Sequence, residues 1–157
     1  MTTETTGPTV VRTSVEVAAP PEHAFTVFTT GMDRWWDRSH HLLSGELKQV
    51  GVDPHVGGRL WEENDAGEVC AWGKVLTWDP PRTFAFAWLI GPDWKVPPPD
   101  AAGSRVTVTF TPTDTGTRVD LIHDRLDAHG PGWEGVRDAV ASDGGWPGGL
   151  RLYAATV

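Results

Sequence analysis

The chain has a single cysteine, Cys70, among its 157 residues. One thiol excludes an internal disulfide and a cysteine-built zinc site, and it fits a reducing compartment. Positive charge is also scarce: 13 lysines and arginines stand against 21 acidic side chains, a formal net charge of −8. That balance repels phosphate backbones and anionic lipid, so neither nucleic acid nor a membrane surface is an expected partner. No apolar run is long enough to cross a bilayer and no charged-then-apolar leader occurs, so the expected location is the cytoplasm. Against these absences stand nine tryptophans. Each carries a large flat body and one N–H that wants a partner when buried, so a chain this rich in them fills a wide core or lines a cavity.

Met1 to Thr9 is polar and threonine-rich and reads as a flexible tail, followed by one domain over residues 10–157. Val11, Thr13, Val15 and Val17 share one face of a first strand that Pro20-Pro21 ends. A short helix over 21–29 follows, with proline in its first turn and Glu22 where the helix dipole welcomes negative charge. Met32 to Asp37 reads as another turn or two of helix carrying Trp35 and Trp36, which at 100° apart should not face the same cavity. Residues 40–48 are expected as a strand, 51–58 as a loop, 59–63 as a strand, and 64–67 as a hairpin loop ending in glycine.

The stretch from Gly73 to Trp88 organises the remainder. Asp79-Pro80-Pro81 makes a corner between two strands, and beyond it Phe84, Phe86 and Trp88 alternate with Ala85 and Ala87. Large rings then pave one sheet face, and that face needs a cover. Residues 91–103 are too rich in proline for strand or helix. Two more alternating strands follow at 104–111 and 117–126, then glycine-punctuated helix at 133–141 and a last helix opened by Pro147. Hairpins too short for crossovers make this an α+β fold: an antiparallel twisted sheet wrapped around a C-terminal helix, with two short helices after the first strand. A hollow is expected between helix and sheet.

Five local strings in this order resemble the START-like helix-grip (SRPBCC) superfamily, and within it the homologues of the heat-shock protein 90 ATPase activator. They are Gly57-Gly58-Arg59; Gly73, Val75 and Leu76 leading to Asp79-Pro80-Pro81; the strand closing on Trp88; Thr117-Arg118-Val119 through Leu121 to His123; and Gly145-Trp146-Pro147 with Leu150. The resemblance covers about residues 13–153 and implies a deep, mainly apolar cavity between terminal helix and sheet. The chain departs from the pattern in its short last helix and in its proline-rich 91–103 connection, a candidate lid.

The residues show no catalytic constellation, no phosphate cradle and no metal set. His40 and His41 are adjacent, so on a strand they point apart, and no nucleophile elbow surrounds a serine. No cofactor is expected. Trp35, Trp36, Trp61, Trp72, Phe86, Trp88 and His123 are the candidates from which the cavity lining is drawn, with Trp94 a candidate for the mouth or lid. Either Glu62 or Glu63 should face inward, where a carboxylate needs a partner or a raised pKa; Arg105, Arg118 or Lys74 could equally neutralise it in a structural ion pair. Three functions remain open: binding of a small hydrophobic or aromatic molecule; a cyclase- or hydratase-like reaction in which His123 or the inward glutamate moves a proton; and a co-chaperone-like interaction with a chaperone or other protein partner, anchored on Trp94.

Overall fold

The structure, a computed structural model, describes residues 9–157, so all but the last residue of the expected tail lies outside the described residues. Seven strands form one antiparallel sheet in the order β1-β7-β6-β5-β4-β3-β2. They are β1 (Val11–Val17), β2 (Leu47–Val52), β3 (Arg59–Asn64), β4 (Val69–Asp79), β5 (Thr83–Trp88), β6 (Ser104–Pro112) and β7 (Thr117–Asp124). The three α-helices among the described residues are α1 (Pro21–Phe28), α2 (Trp133–Ala141) and α3 (Trp146–Thr156). Period-two patterning sets the register: Phe84, Phe86 and Trp88 of β5 and Val106, Val108 and Phe110 of β6 are all buried, as are Val119, Leu121 and His123 of β7. The sheet curls, and these side chains line its inner face.

Two helices cover one half of that face. Phe25 and Phe28 of α1 meet Phe84 and Phe110 with ring centroids 5.2 to 6.5 Å apart. Tyr153 of α3 packs edge-on against Phe28 at 5.1 Å, and its hydroxyl donates to the Ala24 carbonyl at 2.7 Å. Full burial of each such ring is worth about 1.5–3 kcal/mol. The tie from Tyr153 to Ala24 fixes α3 against α1, because a buried hydroxyl needs its acceptor. Gly145 permits the sharp bend from α2 into α3: a Cβ there would sit 2.3 Å from the Val140 carbonyl oxygen.

Three local readings need correction. Residues 40–46 are not a strand; their polar groups go to side chains instead, with the Leu42 and Leu43 N–H groups donating to Glu62 and the Ser44 carbonyl accepting from Asn64. The strand begins at Leu47 and runs through Val52, taking the first two residues of the expected loop. In place of a second α-helix after β1 there is one 3₁₀ turn, Met32–Arg34. It ends at Trp35, whose φ of −118° is well away from the regular helical value.

Replacing Tyr153 by Phe should lower unfolding free energy by about 1 kcal/mol with the fold intact. Urea denaturation followed by circular dichroism measures it, and an unchanged midpoint would remove the hydroxyl from the account of how α3 is held.

Candidate functional site

The other half of the inner face is not filled. A cavity of about 680 Å³ opens there, walled by Trp35, Trp36, Trp72, Trp88, Trp94 and Trp146. Trp72 comes from β4 and Trp88 from β5; Trp146 starts α3 and closes the opposite side. The segment 139–152, at the bend between α2 and α3, supplies much of the remaining wall, together with the loop 37–42.

Most indoles of this wall are held by their N–H groups. Trp35 donates to the Val27 carbonyl at 3.0 Å, Trp36 to that of His40 at 2.9 Å, and Trp88 to that of Ile90 at 3.0 Å. Trp146 donates to Nδ1 of His123 at 3.0 Å. With its polar atom tied to the protein, each of these rings offers its apolar surface to the cavity. Trp36 and Trp72 approach at 5.1 Å with their planes 31° apart, a shallow angle that leaves a broad flat wall.

The expected lining divides. Trp35, Trp36, Trp72 and Trp88 are at the wall, and the exposed Trp94, its backbone at φ 54°, also lines the cavity. That Trp35 and Trp36 face the same cavity corrects the helical expectation: the chain leaves the 3₁₀ turn at Trp35, so the 100° spacing does not apply. Trp61 is on the outer face, where its ring lies over Gly51, so close that a Cβ on Gly51 would sit 2.2 Å from it. Phe86 stands behind the wall, fully buried with its ring against Trp72 and Trp146. His123 is also fully buried and lies behind Trp88 and Trp146 rather than on the surface of the cavity.

The polar side chains of the lining include Asp37, Ser39, His40, His41, Glu62 and Arg151. Glu62 is the inward glutamate; Glu63 is on the outer face near Lys48. None of the expected cations reaches Glu62: Arg105 pairs with Asp124, Arg118 with Asp120, and Lys74 is exposed. Both carboxyl oxygens of Glu62 instead accept backbone N–H groups, from Leu42 at 2.9 and 3.0 Å and from Leu43 at 3.1 Å. At the rim, the Ser39 hydroxyl and N–H hold the Asp37 carboxyl below its usual range. Arg151 reaches Asp143 at 3.4 Å. Cys70, opposite Glu62 on β4, is buried and its thiol is pushed up to about 11, chiefly by burial, so it is a packed side chain and not a nucleophile.

Trp146 is positioned by more than packing. A buried relay runs behind the wall, and hydrogen-bond chemistry gives that relay a direction. An indole N–H only donates, so His123 Nδ1 accepts and the ring's proton sits on Nε2. That Nε2 lies 2.7 Å from the Ser104 hydroxyl and donates to it; the hydroxyl in turn donates to Nε2 of His129 at 2.8 Å. Sequence alternation put His123 on the inner face but gave no sign of Ser104 or His129 as partners. Burial first, and then the nearby His129, push the His123 pKa down to about 3.

His123 is neutral in the fold well below pH 6.5, where the unfolded chain already binds a proton, so its contribution is intact above about 6.5 and is lost as pH falls toward 3. In that window stability should drop by up to about 1.4 kcal/mol per pH unit from this group. Urea unfolding across the window, repeated with His123→Leu, isolates it: the variant is less stable at neutral pH and its curve is flatter. Equal slopes in both proteins would mean that the acid sensitivity arises elsewhere.

Comparison with curated protein sequences gave no match. Among solved structures, an anthrahydroquino-γ-pyrone synthase, Txn09, complexed with SUM, is 38% identical, with 95% of this chain and 97% of that one covered at a TM-score of 0.68. The self-sacrificing resistance protein CalC from Micromonospora echinospora is 30% identical over 94% of this chain and 92% of its own, at 0.63. Protein Ms6760 from Mycobacterium smegmatis, 22% identical over 98% and 94%, shares the fold at 0.66. The match to the family described as Activator of Hsp90 ATPase homolog 1-like protein spans residues 18–148, and the chain belongs to that family.

Proposed function

We propose that the protein binds a flat, largely apolar aromatic molecule in the tryptophan-walled cavity. The observation that carries this reading is the wall itself: six indoles surround about 680 Å³ of space. Empty, they leave a large apolar surface facing water; a planar guest covers it and gains stacking beyond area burial. The similarity to Txn09, described as an anthrahydroquino-γ-pyrone synthase, supports a guest of fused-ring shape.

Catalysis in the same cavity is the second reading, favoured by the synthase activity described for Txn09. Of the expected proton-transfer groups only Glu62 lines the cavity, so this reading assigns the acid–base step to Glu62 and not to His123 or Glu63. A protein partner anchored on Trp94 has less support, because Trp94 is part of the cavity lining.

Titration with anthraquinone should quench tryptophan fluorescence saturably. Trp36→Ala, at a half-buried wall position, should weaken the binding by about tenfold with the fold retained. Quenching that stays linear in ligand, or a Trp36→Ala protein that binds as well as the parent, would rule the cavity out as the site.

A further inference from the structure

Two polar groups on the floor of the cavity have hydrogen-bonding capacity that the protein does not use. A carboxylate offers about four acceptor positions. Glu62 fills three, all with backbone N–H groups of Leu42 and Leu43, and no cation among the described residues pairs with it. The indole N–H of Trp72 has no hydrogen-bond partner among the described residues; since no fully buried side-chain nitrogen or oxygen among them lacks one, this N–H keeps accessible surface although the residue as a whole is 2% exposed. It is the exception among the buried tryptophans of the wall, since Trp35, Trp88 and Trp146 all donate to protein atoms. Both Glu62 and Trp72 line the cavity, and they come from adjacent strands: Glu62 faces Cys70 across the β3–β4 ladder, and Trp72 follows Cys70 by two residues.

An acceptor and a donor with spare capacity on one floor discriminate strongly between guests, because a guest that covers them without pairing them incurs their desolvation without compensation. We infer that Glu62 and Trp72 are the specificity-determining pair of this cavity, and that its ligand is a planar aromatic carrying a hydroxyl for Glu62 and a carbonyl oxygen for Trp72. The inference rests on the binding function proposed above and adds the polar groups the guest must carry. Glu62 is suited to the hydroxyl for a second reason. Its oxygens are already fixed by the Leu42 and Leu43 N–H groups, so accepting one more bond orders nothing new.

Three probes separate the contributions: 2-hydroxyanthraquinone has both groups, 2-methoxyanthraquinone lacks the donor, and 2-hydroxyanthracene lacks the carbonyls. Affinities are measured by tryptophan quenching at mildly acidic pH, where the hydroxyl keeps its proton. The wild-type protein should bind the first about tenfold more tightly than either of the others. Glu62→Gln should abolish the preference for hydroxyl over methoxy and keep the preference for the carbonyl compound; Trp72→Phe should do the reverse. Circular dichroism checks that each variant is folded, and if one is not, the wild-type ranking alone decides. If the three probes bind wild type equally, or if the variants keep both preferences, the pair does not determine specificity while the cavity remains a binding site. If none of them binds, the underlying function fails with it.

Discussion

A curled sheet paved with aromatic rings cannot leave its inner face in water, and everything else in this molecule follows from how that face is covered. On one side α1 and the end of α3 press down on it, and Phe25, Phe28, Phe84, Phe110 and Tyr153 interlock as edge-to-face and tilted pairs. Rings of this size fill the gap between one helix and one sheet. On the other side the covering element is the bend between α2 and α3 with the loop after Trp36, and the rings are indoles. Most of their polar ends are anchored, on carbonyls and on His123, which holds the planes apart instead of letting them collapse on one another. Phenyl packing closes one half of the sandwich, and tethered indoles prop the other half open.

The props have different foundations. Trp35, Trp36 and Trp88 are tied to nearby main chain, within eight residues in sequence. Trp146 is tied across the fold, through His123 on β7 to Ser104 on β6 and on to His129. The first residue of the covering helix is thereby joined to two interior strands of the sheet, β7 and β6, by a chain of hydrogen bonds. Such a chain specifies one arrangement, because shifting any link orphans a polar group in an apolar setting. His123 acts on the cavity by positioning Trp146 and does not line the space itself.

Much of this was legible in the amino-acid order. Alternation at Phe84, Phe86 and Trp88, the Asp79-Pro80-Pro81 corner and the short hairpins were sufficient for an antiparallel sheet with a ring-paved face, since period-two patterning and turn chemistry are local properties. The inward position of one of Glu62 and Glu63 came from the same alternation. Other features were not legible because they depend on contacts between distant segments. Trp61 alternates as well as its neighbours, yet it faces outward against Gly51, a close approach possible only because Gly51 has no Cβ and pairs with it across the ladder. Trp35 and Trp36 share a cavity because a 3₁₀ turn ends where a helix was expected to continue. The 40–46 segment lost its strand because Glu62 and Asn64, some twenty residues away, took its backbone groups.

Composition and period-two alternation were enough for the class of fold, the face on which the rings lie and the wealth of indoles, because these are carried by single strands or by residue counts. Which tryptophans surround the cavity, the hold of main-chain N–H groups rather than a cation on Glu62, and the unused donor of Trp72 were settled when distant segments packed together. Those outcomes depend on which groups reach which partners once distant strands and helices meet, and a hydrogen bond has no sequence signature until both ends are in place.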